Sequence, residues 1–305
     1  SSSCFCYAIS LCHAARLLSV ATVSYSFSRL STFPRVLVTS PLLALPGSIC
    51  PTTTKELVHA VLSKKFKCFT TRGNLNNHIG IPLTILSVKP NAEIAVIEMG
   101  ANHRHEIEGY CKYALPTHGL ITNCGKAHLE GFGNEEGVRK AKGELYDFIA
   151  AEKGTIFLNT DYKYLVEMGA AVKNKISYGN NNAEFTGSAK SSGHFLEVEI
   201  TKGADIMHIK TQLAGNYNLP NVLAAVCIGK TFGVADSDIK YALENYTPSN
   251  SRSQIINYGT NTVLLDAYNA NPASMKVSIE ILCGMREYKR SVSIGVRMAL
   301  GSDSF

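Results

Sequence analysis

Apolar residues recur along this chain with two different rhythms. Between Lys55 and Phe66, the residues Val58, Val61, Leu62 and Phe66 fall on one helical face, which predicts an amphipathic helix. A second helix is predicted over 135–149, where Val138, Ala141, Leu145 and Phe148 form a stripe behind a capping Asn134. Other segments are short apolar runs that end on a polar residue: IAVIE (94–98), GLITN (119–123) and TVLLD (262–266). Such runs, alternating with helices, predict buried strands in a largely parallel, doubly wound α/β sheet. Ligands of such sheets sit at the carboxyl ends of strands, and Glu98, Asn123 and Asp266 occupy those ends. Residues 155–201 read as shorter, more exposed strands, a small β-rich insertion. The stretch TPSNSRS (247–253) reads as a linker.

Composition narrows the partners. A chain of 305 residues that is 45% hydrophobic can bury one large or two ordinary cores. The formal charge of +6 is mild and spread out, so it supports acidic small molecules such as nucleotides rather than a nucleic-acid surface. Nine cysteines show neither metal spacing nor a paired framework, which fits buried free thiols in a reducing compartment. The best membrane candidate, Cys4 to Tyr25, is interrupted by His13 and Arg16, so no membrane partner is expected. Residues 1–50 contain no Asp, Glu or Lys. Three readings compete for them: a transit peptide, an N-terminal domain of low periodicity, or a mistranslated segment. The last is favoured, and the opening on Ser rather than Met fits a fragment.

The segment PGSICPTTTKE (46–56) carries part of a phosphate-binding loop. Such a loop needs glycines that let backbone N–H groups face phosphate, a Lys for the β/γ oxygens, and a hydroxyl for Mg²⁺. Gly47, Ser48 and the Thr52–Thr54 run fit, but Cys50 stands where the second Gly belongs and Pro51 where the Lys belongs. Further motifs follow: GNLNNHIGIPLT (73–84), VIEMGANH (96–103), ITNCGKAHLEGFG (121–133), KAKGELYDF (140–148), GNYNLPNVLAA (215–225) and LLDAYNANPASM (264–275). In this order and spacing they resemble the Mur ligase family over about residues 47–280, with TTTKE matching the end of that family's phosphate loop. The pairing of GNLNNHIGIPL with NANPASM is similar to the branch that adds D-alanyl-D-alanine to UDP-N-acetylmuramoyl-tripeptide.

The resemblance implies an ATP-dependent amide-bond ligase of peptidoglycan precursor synthesis, working through an acyl phosphate with ATP and Mg²⁺. It implies a P-loop-like central domain at 47–247, a truncated start of a C-terminal domain at 248–305, and an unassigned segment at 1–46. Carried over residue by residue, Gly47, Ser48, Thr52, Thr53, Asn218, Asn221, Arg252 and Asp266 are expected at ATP. Asn74, Asn76, Asn77, Asn269 and Asn271 are expected at the UDP-N-acetylmuramoyl-peptide or D-alanyl-D-alanine. Thr52, Glu98, His128 and Lys142 are expected at the metal, with His128 and a carbamylated Lys142 as the catalytic pair. Without the resemblance, Glu98 reads equally as a solvated strand end, Lys142 as a solvated helix residue, and the asparagines as turn and cap residues. Tyr217 replaces the family's usual His. A monomer is expected, in the bacterial cytoplasm or, if residues 1–50 are a transit peptide, in an organelle. The rival reading is a non-catalytic relative that kept the fold as a nucleotide-binding or interaction module after losing the loop lysine.

Overall fold

A computed structural model of the chain describes residues 40–48, 51–125, 129–190, 195–248, 254–259 and 261–265. The chain runs β1 (Leu42–Leu45), α1 (Pro51–Leu62), β2 (Cys68–Thr70), α2 (Gly80–Ser87), β3 (Ile94–Glu98), α3 (Glu106–Ala114), β4 (His118–Leu120), a short α4 (Leu129–Phe132) and α5 (Glu135–Ala151). It continues β5 (Thr155–Asn159), α6 (Lys163–Met168), β6 (Asn174–Gly179), β7 (Phe185–Lys190), β8 (Phe195–Lys202) and β9 (His208–Ala214). A 3₁₀ turn at Asn216–Asn218 then leads into α7 (Leu219–Thr231) and α8 (Asp236–Glu244), followed by β10 (Gln254–Tyr258) and β11 (Asn261–Leu265).

Both predicted helices form. The first starts earlier than its apolar stripe because Pro51 opens it, at a position where a missing N–H costs no helical hydrogen bond. In α5, the Asn134 side chain accepts from the Gly137 N–H at 2.8 Å, and Glu135 and Glu136 place negative charge at the positive end of the helix.

Nine strands form one sheet in the order β2-β3-β1-β4-β5-β6-β7-β8-β9. The pairs from β2 to β7 are parallel, and β8 and β9 continue the sheet antiparallel. Residues 155–201 therefore extend the main sheet. Within them β5 is buried except at its first residue, while β8 carries the alternating pattern of a strand open on one side. TVLLD was expected as a parallel strand, and this is corrected: β11 pairs antiparallel with β10 in a two-stranded ribbon turned at Gly259. A short apolar run shows that a strand forms but does not name its partner.

Alternation along β1 explains the two layers. Leu43 and Leu45 face a core shared with α1, α7 and α8, whereas Leu42 and Ala44 face one shared with α3 and α5. Helix α7 is buried almost all round, and a Cβ on Gly229 would lie 2.5 Å from Val61, so α1 and α7 meet at close range there. Each fully buried Leu or Val contributes roughly 1.5–3 kcal/mol. Cys68, Cys111, Cys124 and Cys227 are free thiols. No helix among the described residues is long and apolar enough to cross a membrane.

The strand order places the site. From β1 the chain steps outward to β2, returns through β3, and crosses over β1 to β4. The carboxyl ends of β1, β3 and β4 consequently lie side by side at the topological switch point, where ligands of such sheets sit. Register puts Leu45 level with Glu98, so the loop after β1 starts beside that carboxylate.

Candidate active site

The remnant phosphate loop is zipped to the segment after β4. Thr122 N–H donates to the Pro46 carbonyl at 3.1 Å. Ser48 N–H donates to both the backbone carbonyl and the Oδ1 of Asn123, each at 3.2 Å, and Ser48 Oγ donates to the Gly125 carbonyl at 3.2 Å. Gly47 has to be glycine here, because a Cβ would fall 2.0 Å from Thr122 Oγ1. That hydroxyl is buried and has no hydrogen-bond partner among the described residues.

Glu98 is 1% exposed, so it is no solvated strand end. Its Oε1 accepts from Thr52 Oγ1 at 3.0 Å and from Asn76 Nδ2 at 2.8 Å. Its Oε2 lies 3.8 Å from the Lys55 ammonium. A buried carboxylate is tolerable only with such compensation. The three asparagines of the 73–84 motif separate in role. Asn76 reaches Glu98, and its own carbonyl accepts from Gly100 N–H at 2.7 Å. Asn77 Oδ1 accepts from the N–H groups of Ile79 and Gly80, at 3.1 and 2.8 Å, and so caps α2. Asn74 is exposed.

Lys142 is 3% exposed although it sits mid-helix. Burial pushes its amine down to about 8, opposed by the neighbouring Cys124 thiol. Cys124 is itself pushed up to about 11 by burial, with Lys142 and Arg139 pulling the other way. Tyr164 OH accepts from Cys124 N–H at 3.1 Å, and the Arg139 guanidinium lies over the Tyr164 ring at 4.6 Å. The structure thus brings Lys142 to the strand-end segment 121–125. Among the described residues, no ion pair links it to Glu98. The adjacent Glu144 accepts from the N–H groups of His105 and Glu108, at 2.6 and 3.0 Å, and caps α3.

Asn218 and Asn221 are buried in a closed ladder. Thr54 Oγ1 donates to Asn221 Oδ1 at 2.8 Å, Asn221 Nδ2 to Asn218 Oδ1 at 2.9 Å, and Asn218 Nδ2 to the Ala214 carbonyl at 2.8 Å. Each amide keeps a second N–H and a second lone pair, but these hydrogen bonds tie the start of α7 to α1. Thr53, on the same turn, is half-buried. His128, Arg252, Asp266, Asn269 and Asn271 lie outside the described residues, as does Cys50.

Sequence reasoning missed Lys55, Thr71 and Thr122. Lys55 lies one helical turn from Thr52, a spacing that puts both side chains on one face. That spacing was the available signal. Thr71 donates nothing recognisable in sequence, yet its Oγ1 accepts from Glu98 N–H at 3.0 Å.

A mostly parallel sheet with a glycine-tight loop, a helix start and a buried carboxylate at its switch point is the arrangement in which α/β domains hold their ligands. Residues 47–229 match the family model of the Mur ligase middle domain, and the chain belongs to the Mur ligase family. It is 33% identical over 293 residues to the UDP-N-acetylmuramoyl-tripeptide–D-alanyl-D-alanine ligase of Escherichia coli K12, covering 94% of this chain and 64% of that protein. The ligase of the same name from Bacillus subtilis is 31% identical, over 85% of this chain and 57% of its own length. Among solved structures, MurF from Acinetobacter baumannii superposes with a TM-score of 0.75 at 30% identity, covering 81% of this chain and 55% of that one. MurF from Thermotoga maritima in complex with ADP gives a TM-score of 0.75 at 26% identity, over 85% and 61%. The chain spans less than two thirds of the length of each of these relatives.

Proposed function

We propose that this chain is the nucleotide-binding core of a ligase that joins D-alanyl-D-alanine to UDP-N-acetylmuramoyl-tripeptide at the expense of ATP. The observation that carries the reading is the buried Thr52–Glu98 pair, 3.0 Å apart where the start of α1 meets the end of β3, in a chain a third identical to such a ligase. In the reaction the tripeptide carboxylate oxygen attacks the γ-phosphorus of ATP, and the bond to the β-phosphate oxygen breaks to release ADP. The amine of D-alanyl-D-alanine then attacks the acyl carbon, phosphate leaves with the C–O electron pair, and the amine proton passes to a base.

Each residue has a share in this scheme. Gly47 and Ser48 set the loop backbone along the phosphates, with Thr53 in the turn beneath. Asn218 and Asn221 shape the adenine side from the start of α7, and Asn76 holds the substrate loop against Glu98. Thr52 and Glu98 are hard oxygen donors, already adjacent and aimed at one another, so the pair fits Mg²⁺. When bound there, Mg²⁺ supplies neutralisation of the crowded phosphate charge. Lys142 would join that site as a carbamate. Carbamylation needs the unprotonated amine, which burial favours. His128, Arg252, Asp266, Asn269 and Asn271 complete the assignment by resemblance.

One observation favours a second reading, a nucleotide-binding module without catalysis. Pro51 removes both the loop cation and a backbone donor. The deciding experiment joins this chain to the flanking regions of the Escherichia coli ligase, with and without Cys50→Gly/Pro51→Lys, and measures ADP release and joined peptide. Ligation by the loop-repaired hybrid, lost again in Glu98→Gln, supports the ligase reading. A repaired hybrid that binds nucleotide but forms no peptide leaves the module.

A further inference from the structure

Lys55 is a fully buried cation that no assignment above uses. Its side chain is 0% exposed and its ammonium is engaged beneath the loop, so it does not stand in for the missing loop lysine. Its Nζ instead reaches the loop after β2, the end of β3 and the next residue of its own helix. It donates to the Thr71 carbonyl at 2.7 Å and lies 3.5 Å from that of Gly73, pairs with Glu56 at 2.9 Å, and faces Glu98 Oε2 at 3.8 Å. Gly73 has φ +54, so the chain turns sharply where the ammonium holds it. The loop then runs on to Asn76, whose amide closes on the other carboxylate oxygen, Oε1.

The two oxygens of Glu98 are therefore addressed separately. Thr52 and Asn76 hydrogen-bond Oε1, while Lys55 faces Oε2 at 3.8 Å, an ion-pair distance without a direct hydrogen bond. Thr52 and Lys55 project from one face of α1 in its first two turns, so one helix start supplies both a candidate ligand and the group that orients the other. If this site were needed only for packing, an apolar side chain of similar length would serve as well, because buried ion pairs seldom add net stability. We propose that Lys55 is a positioning residue of the nucleotide site, fixing the rotation of the Glu98 carboxylate and anchoring the 71–77 loop so that both present to the same bound cation. This rests on the reading of Glu98 as a cation ligand.

The test uses the full chain with Mn²⁺ and ADP as the probe, followed by water-proton relaxation, and amide hydrogen exchange without metal. The variants are Lys55→Met, Lys55→Arg and Glu98→Gln. Lys55→Met should weaken Mn²⁺ binding about tenfold or more, the range seen when groups orienting a ligand are removed. It should also speed exchange at the Asn76 and Gly100 amides by a similar factor, with α5 still protected. Glu98→Gln should weaken Mn²⁺ without loosening α5, and Lys55→Arg should keep most of both properties. Wild-type Mn²⁺ affinity and loop exchange in Lys55→Met, beside a weakened Glu98→Gln, overturn the role of Lys55 alone. Unchanged Mn²⁺ affinity in Glu98→Gln overturns the ligand reading and this inference with it. If Lys55→Met loses protection throughout, Lys55→Arg decides: a folded chain that binds Mn²⁺ normally supports the need for a cation here, and a folded chain that does not contradicts it.

Discussion

At the scale of single residues, the positions that matter most are those where burial contradicts the ordinary habit of the side chain. Lys142 is the sharpest. Charge and mid-helix position read as solvated, yet Ala141 and Leu145 beside it already belong to the buried stripe, and the structure puts Lys142 inside with them. With its amine pushed down to about 8, it has far more reactive free base at neutral pH than an ordinary lysine. We expect ¹³CO₂ to give a carbamate carbon signal in the wild-type chain that is absent from Lys142→Arg, since guanidinium stays protonated. In a ligation-competent hybrid, Lys142→Ala should abolish turnover and short carboxylic acids should partly restore it. Near-normal turnover by Lys142→Arg would show an ordinary cation. Gly47 makes a second, purely steric case. Gly47→Ala forces a methyl onto Thr122 Oγ1 and should cost about 1–3 kcal/mol in urea unfolding. Adding Thr122→Ala, which removes a hydroxyl without a described partner, should recover much of that loss. Strict additivity of the two changes would mean the contact is not what requires glycine.

At the scale of elements, helices were more legible than the sheet's edges. The stripe over 135–149 and the cap at Asn134 were both readable because they depend on neighbours in sequence. The fate of TVLLD and the continuation of the sheet through β7–β9 depend on partners far along the chain, which local pattern does not encode. Glu144 shows the same limit. It lies within the motif KAKGELYDF, but its described contacts are to the start of α3, on another element. Glu144→Ala should therefore cost about 1.5–3 kcal/mol, the range for hydrogen bonds to a charged group, and exchange should quicken first at the Glu108 amide. Equal protection of that amide in both proteins would remove the cap from the account.

At the scale of the whole molecule, the switch point was foreseeable from alternating strands and helices, whereas the strand order that creates it was visible only in the structure. The same long-range packing makes stability pH-dependent. His118 at the base of β4 lies 6.0 Å from the Phe157 ring and 5.0 Å from that of Phe232, and burial holds its imidazole below the ordinary 6.5. The unfolded chain then binds the proton first. The neutral ring's contribution is intact above pH 6.5 and is lost as pH falls from there through the depressed folded value. His118→Phe should flatten that part of the stability profile in urea titrations, and an unchanged acid slope would assign the loss to other groups, such as the similarly lowered His59. The central claim is that the strand-end region around Glu98 is a nucleotide site weakened by Pro51. Its most direct test is calorimetric titration of Mg²⁺–ADP into the wild-type chain, Cys50→Gly/Pro51→Lys, and that double variant carrying Glu98→Gln. One lost charge-assisted contact is worth about 1.5–3 kcal/mol, so the repaired chain should bind at least tenfold more tightly than the wild type and lose that gain with Glu98→Gln. Micromolar affinity in the wild type, unchanged in both variants, would contradict the account.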